Sequence, residues 1–270
     1  MMELFQEEAF NITGDLAIGA AFWLLALALP FRALASKAEI RWDVIGYIGS
    51  MACGIAIVRG IEAPLLDWTD SAFGAWYGAY GQLPWWVALL VYIVVADFGV
   101  YWAHRLLHSR RLWDAHAWHH SPSYLYFLSG TRAAPLHIVV LIAPYTLAYV
   151  LLPYPEFESV ALAHAAFGVA NQHYIHSNLR FPFARRLEYV FVTPRMHFVH
   201  HSRMRARSDS NYGSIFSIWD RLFGTYTDPE RVPSDDALGL NYEISPRRAF
   251  LGLPPRRADA SRTPTPVSGE

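Results

Sequence analysis

Two apolar runs of about twenty residues, 84–103 and 133–152, constrain this chain more than any other feature. A run of that length matches the ~30 Å hydrocarbon core of a bilayer, and inside lipid it must satisfy its own backbone groups, which a single segment does only as a helix. Three further apolar stretches, 16–31, 44–58 and 160–175, fall short of ~20 residues and are expected to tilt or stop partway. Four or five membrane helices are therefore expected. Hydrophobic residues make up 53% of the chain and charged ones only 17%, with Trp and Tyr near the ends of the runs, which sets it apart from proteins with a large soluble core. No basic stripe stands apart from the runs, so a nucleic-acid partner is not expected. Cys53 is the sole cysteine and lies in an apolar stretch, which excludes an intrachain disulfide and argues against thiolate metal ligation. The acidic start, MMELFQEEAF, lacks the basic opening of a cleavable signal, so the first apolar segment is expected to stay attached.

Orientation follows from lysine and arginine. Arg32, Lys37 and Arg41 follow the first segment, Arg105, Arg110 and Arg111 the third, and Arg180, Arg185 and Arg186 the fifth. The alternate loops carry Glu3, Glu7, Glu8, Asp15, Glu62, Asp67 and Asp70, with Arg59 the one basic residue nearby. The positive-inside rule then places the amino terminus outside and the segment ends after 103 and 175 in the cytoplasm. Residues 176–228 are mixed and amphipathic and read as a cytosolic cap on the bilayer. The rest, ending PPRRADASRTPTPVSGE, reads as a flexible tail. The chain thus divides into amino-terminal membrane helices (1–83), a catalytic region (84–228) and a tail (229–270).

Directly after the first long run comes HRLLHSRRLWDAHAWHH, which holds five of the twelve histidines, and HFVHH at 197–201 supplies three more. His104 and His108 are four apart on one helix face; His116, His119 and His120, and again His197, His200 and His201, turn two imidazoles to one side and a third by about 100°. Such spacing suits metal ligation by neutral imidazole, which serves iron, zinc, copper and nickel alike. Eight ligands exceed the four to six positions of one ion, so two ions are expected. His176, before SNLRFP, is read as a further ligand; His173, one turn earlier, has first-shell, second-shell and interfacial roles open to it. His137 and His164 are read as structural. Asp97 lies two turns before His104 on the same face, where it bonds a ligating histidine, caps a neighbouring helix or faces a polar cavity. Asn211, Tyr212 and Asp220 either brace ligands or form turn contacts, and Arg132 either meets a lipid phosphate or carboxylate or snorkels to the interface.

HExxH, GxSxG and phosphate-binding glycine loops are all lacking, which sets aside zincin proteolysis, serine hydrolysis and nucleotide chemistry. Too few carboxylates lie near the clusters for the di-iron site of ferritin-like bundles.

The ordered set HRLLH, HAWHH, a histidine before SNLR, and HFVHH, followed by NYGSIFSIWDRLFGTY, resembles the fatty acid hydroxylase and sterol desaturase superfamily over residues 84–228. The resemblance implies a membrane di-iron centre using O2 and electrons from a separate ferredoxin-, cytochrome b5- or reductase-type donor to oxidise a C–H bond of a lipid. By position its iron ligands are His104, His108, His116, His119, His120, His176, His197, His200 and His201. The family often has a histidine where this chain has Gln172, which leaves His173 as a substitute ligand.

The expected fold is thus all-α: a membrane bundle of four or five helices, set in a bacterial inner membrane, with a cytosolic helical cap holding the two irons. The expected activity is lipid hydroxylation, with desaturation or sterol methyl oxidation as its enzymatic rival. Asp97, Asn211 and Asp220 are the candidates for supporting the ligands. A histidine-lined metal transporter is the rival of another class, and it predicts ligands near the bilayer midplane rather than at helix ends. Metal occupancy is expected to fall below about pH 6, as imidazoles protonate.

Overall fold

A computed structural model describes residues 2–32, 40–62, 64–65, 68, 80–152 and 157–256, with the backbone alone at 2–11, 58, 62 and 157–165. The side chains of Glu3, Glu7, Glu8, Glu62 and His164, and all of Lys37, Asp67, Asp70 and 257–270, on which expectations above rest, lie outside the described residues.

The fold is all-α, and the described residues hold only three isolated β-bridges. Five long helices come first: α1 (Met2–Ala28), α2 (Ile40–Ile57, continued by a π-turn to Glu62), α3 (Trp85–Leu107), α5 (Pro135–Leu151) and α6 (Phe157–Ile175), with the short α4 (Trp113–His116) between α3 and α5. Pro84 stands just outside α3, and Pro135 occupies the first turn of α5, where a missing N–H costs nothing. Inside α5, Pro144 meets Gly99 of α3 so closely that a Cβ at Gly99 would lie 2.8 Å from it. A glycine there lets the two helices touch along their length.

Ile40–Ile61 and Trp85–Leu107 are the two described helices long and apolar enough to cross a membrane; Ile12–Ala28 and Pro135–Leu151 are apolar but shorter. Which helices are long enough to cross differs from expectation at two places. The second segment gains residues because Asp43 pairs with Arg132 and Arg41 stacks on Trp42, so charges that seemed to end the run are absorbed into the helix. The fourth loses them because Pro135 sets its start and Ala134 is extended.

Helix direction puts one set of ends together. The carbonyl of Leu29 accepts from Arg180 N at 2.7 Å and Phe31 N donates to Asn178 O at 2.9 Å, so α1 and α6 finish side by side. Asp43, in the first turn of α2, pairs with Arg132, three residues before α5 begins. The carboxyl ends of α1, α3 and α6 and the amino ends of α2 and α5 therefore share a side.

On that side lies the cap, made of α7 (Ala184–Leu187), α8 (Pro194–His200), α9 (Arg205–Ser208), α10 (Ile218–Leu222) and α11 (Pro246–Phe250). Two small apolar clusters pin it: Leu125, Phe198 and Leu238, and Ile175, Val192 and Met196. The segment from 229 to 256 is no loose tail. Asp236 pairs with Arg207, Leu238 bridges to Ser202, and Tyr242 accepts from Trp113 Nε1 at 2.9 Å. Its sequence looks disordered because it is poor in apolar residues, yet polar contacts to the histidine-bearing segments hold it.

Candidate metal centre

Four stretches deliver imidazoles to the shared side: the end of α3 (His104, His108), α4 and the turn after it (His116, His119, His120), the residue past α6 (His176), and α8 with its cap (His197, His200, His201). All nine rings are buried. They sort into two groups. His104, His108, His116, His120 and His200 form one; His119, His176, His197 and His201 form the other; within each, one nitrogen per ring lies within 4.8 Å of every other.

Backbone carbonyls fix the rings. His104 Nδ1 donates to Tyr212 O at 2.8 Å, His200 Nδ1 to Ser210 O at 2.8 Å, His176 Nδ1 to Gln172 O at 2.8 Å and His119 Nδ1 to Arg132 O at 3.3 Å. His108 Nδ1 faces Asp209 Oδ1 at 3.0 Å. A carbonyl has no proton to give, so each of those rings carries its hydrogen on Nδ1 and presents a bare lone pair at Nε2.

Two of the three polar residues beside the clusters, Asn211 and Asp220, hold the loop that supplies the Ser210 and Tyr212 carbonyls. Asn211 sits at φ 53°, its side chain donating to Met196 O and Thr227 O and accepting from Thr227 N. Asn tolerates that left-handed geometry better than most residues. Asp220 accepts from Tyr212 N and Gly213 N, both at 2.8 Å, and from Thr225 Oγ1 at 2.7 Å. Burial pushes the Asp220 carboxyl up to about 6, although these donors work against that. Asp97 bonds no histidine: it accepts from Ile215 N and Phe216 N, in the turn leading into α10, and from Trp219 Nε1.

Three residues sit otherwise than expected. His173 joins neither group; its Nε2 meets Asp15 Oδ1 at 3.0 Å and its Nδ1 meets Phe127 O at 3.3 Å. Gln172 does not ligate either, and donates to Gly130 O at 2.9 Å. Arg132 neither snorkels nor faces lipid: buried, it pairs with Asp43 at 2.5 Å, donates to Ser121 Oγ at 2.9 Å and lies over Trp118. His137, read as structural, is a neighbour of the centre, with its Nδ1 3.2 Å from His116 Nδ1 and its ring against His119. Its sole sequence signal was a place in the first turn of a helix whose start turned out to adjoin the clusters.

The lone pairs test whether metal ions fit. His119 Nε2 and His176 Nε2 lie 3.3 Å apart, and both are bare. His104 Nε2 and His120 Nε2 each lie 3.1 Å from His116 Nε2, and the Nε2 atoms of His108 and His200 have no partner. Two nitrogens each ~2.1 Å from one ion, at 90–109° to one another, stand about 3.0–3.4 Å apart. Four of the spacings, 3.0–3.3 Å, match that geometry and the 2.8 Å between His176 and His197 Nε2 lies just below it; a cation between the rings turns lone-pair repulsion into ligation. Burial and neighbouring rings hold His116, His119, His120, His197, His200 and His201 well below the ordinary imidazole value of 6.5, and His176 down to about 3, so all stay neutral as ligands must.

Two adjoining all-imidazole groups, each compact enough to hold a metal ion, lie at the ends of apolar helices. The chain belongs to the fatty acid hydroxylase family, whose sequence pattern matches residues 89–225. It is 35% identical to an ornithine lipid hydroxylase of Rhizobium tropici over 59% of this chain and 46% of that protein. It is 33% identical to the human (Homo sapiens) alkylglycerol monooxygenase over 61% and 36% of the two chains, and 29% identical to a Delta(7)-sterol 5(6)-desaturase of Gibberella zeae over 62% and 43%. The matched regions thus span less than half the length of each of these relatives. No solved structure matches.

Proposed function

We propose that this protein is a membrane-embedded, non-haem di-iron oxygenase that hydroxylates a C–H bond of a lipid with O2 and electrons from a separate donor protein. The observation that carries this reading is the pair of bare nitrogens on His119 and His176, one of several such contacts divided between two groups. Nine imidazoles without a carboxylate ligand match the family's histidine boxes, and the relatives' names, lipid hydroxylase and alkylglycerol monooxygenase, supply the reaction class. Sterol desaturation in a third relative favours a second reading, desaturation at the same centre.

Two irons bound here would supply activation of dioxygen and oxidation of an unreactive C–H bond. The chain's own residues prepare the site. His104, His108, His116, His120 and His200 would hold one ion, and His119, His176, His197 and His201 the other. The carbonyls of Tyr212, Ser210, Gln172 and Arg132 keep the Nδ1 proton in place, so that Nε2 faces inward. Burial of every ligand excludes bulk water, which protects a strong oxidant from being quenched.

Leu24, Ile48 and Leu90 are exposed on the long helices, as lipid-facing side chains would be. The arginines on the histidine-bearing side support, by the positive-inside rule, our reading that the centre lies at the cytoplasmic face, in what we take to be a bacterial inner membrane.

Elemental analysis of the detergent-purified protein tests the reading. About two irons per chain are expected, with loss of both in a His119→Ala, His200→Ala double variant. Zinc, or no metal, after iron-replete expression would overturn it.

A further inference from the structure

An apolar cleft of about 350 Å³ lies beside the second histidine group, lined by Phe22 of α1, Phe167, Asn171 and Tyr174 of α6, and Leu187 and Phe191 of the cap. That volume falls within the ~300–1,000 Å³ of clefts that take small molecules. Its walls ask for an apolar occupant, since the Asn171 amide is already committed to Ser214 O at 3.1 Å. Val192, also in the wall, packs with Ile175 and Met196 in one cluster. The chain neighbours of those two, His176 and His197, touch Nε2 to Nε2 at 2.8 Å within the second group. The cleft thus borders the cluster whose chain neighbours belong to the second histidine group.

Depth and charge define the rest of the occupant. Phe22 lies six residues before the end of α1 and Phe167 eight before the end of α6, so the cleft runs from about 9–12 Å below the helix ends, at hydrocarbon depth, up to Tyr174 and the cap. Above it runs an exposed strip of Arg180, Phe181, Phe183, Arg185, Arg186 and Tyr189. Aromatic and arginine side chains alternate there as at a membrane interface. Among the described residues the guanidinium groups of Arg180, Arg185 and Arg186 have no hydrogen-bond or ion-pair partner. The acid within the strip, Glu188, is buried and bound to Arg195 and Thr193. The strip therefore offers positive charge at the rim of the apolar cleft, which Phe181 and Leu187 of the same stretch help to line.

We infer that the substrate class is an anionic glycerophospholipid, with an acyl chain in this cleft and its phosphate on Arg180, Arg185 and Arg186. This rests on the oxygenase reading for the word substrate, but not for the binding site. The full chain is reconstituted in phosphatidylcholine nanodiscs with a trace of phosphatidylglycerol bearing a diazirine halfway along one acyl chain. After irradiation the labelled peptides are mapped, with a phosphatidylcholine probe in parallel.

Labels should concentrate on 166–174 and 187–192, and the anionic probe should exceed the neutral one by at least about fivefold, the effect of a single interfacial arginine. Ala170→Phe, which fills the cleft from α6, should cut labelling several-fold. Replacing Arg180, Arg185 and Arg186 together by Gln, a change confined to the surface, should abolish the anionic preference while labelling persists. Labels spread evenly over exposed positions such as Leu90 and Leu147, or unaffected by Ala170→Phe, would overturn the cleft.

The iron-free His119→Ala, His200→Ala variant separates the two claims. Labelling should survive in it. If labelling holds and the iron-loaded protein with donor oxidises phosphatidylglycerol, the inference stands. Oxidation confined to neutral lipids overturns the substrate class, whereas an iron-loaded protein that oxidises no lipid overturns the oxygenase reading and leaves a lipid site.

Discussion

His119 and His176 meet Nε2 to Nε2 at 3.3 Å, while each ring has its one hydrogen committed to a backbone carbonyl on the far side. No neutral arrangement of protons relieves that contact, so it marks where a cation belongs. His176→Ala removes one of four ligands from the second group and none from the first. The expected result is about one iron per chain, with the spectroscopic signature of a mononuclear site by Mössbauer measurement. Two coupled irons in that variant would refute the division into groups.

Gly130 makes a sharper test without touching a ligand. A Cβ there would lie 2.3 Å from His176 Cγ, inside the ring's own volume. Gly130→Ala must displace the imidazole, so iron content should fall toward one per chain while the protein still purifies as a folded species. Full iron occupancy would mean that the ring has room to move.

Outside both groups, His173 should be dispensable to the metal, and His173→Ala is expected to retain two irons. His137→Leu should weaken the first group instead, because His116 Nδ1 loses its 3.2 Å partner, whereas His137→Asn, which keeps an acceptor, should restore much of the loss. Second-shell changes of this kind typically cost ~10–100-fold in metal affinity. Competition with a chelator measures it, and equal affinities for the wild type and the Leu variant would remove His137 from any positioning role.

Asp43 and Arg132 form a buried ion pair, each only 1–2% exposed. Removing one partner strands the other, at a cost of about 3–5 kcal/mol. Asp43→Ala should lower the unfolding temperature in detergent markedly, and it should also loosen His119, whose Nδ1 bonds the Arg132 carbonyl. A variant as stable as the wild type would show that water reaches the pair.

Metal-free protein should lose stability as the pH drops. His116, His119, His120, His197, His200 and His201 have folded values well below 6.5, so below that pH the unfolded chain binds more protons than the folded one. Their contribution is fully present above pH 7 and declines through 6.5, each such residue costing up to ~1.4 kcal/mol per pH unit. Unfolding temperatures measured between pH 7.5 and 5.5 should fall steadily. A flat profile would sink the claim that these rings are buried and neutral.

Much of the site was legible because its ligands come in short clusters whose spacing is local. His104 and His108, or His197 and His200, need only one helical face. What sequence could not supply was the pairing between clusters: that His119 leaves its neighbours His116 and His120 to join His176, or that His137 arrives from another helix. Arg132 shows the same limit. An arginine near a helix start reads as an interfacial anchor until its partner, Asp43, comes into view 89 residues away. The segment 229–256 was misread for a related reason, since polar residues that bind a specific surface have the composition of residues that bind none.

The division of ligands has a bearing on the order in which the protein is made. Four of the five imidazoles of the first group lie between residues 104 and 120, so that group is nearly complete soon after α3 has been synthesised. In the second group only His119 comes from that stretch; the others wait for His176, His197 and His201. A ribosome adds roughly 5–20 residues each second, which leaves about four to sixteen seconds between residues 120 and 201. On the proposed dimetal reading, the first group can thus take up its ion while the chain is still growing, and the second closes as a seal on a finished molecule.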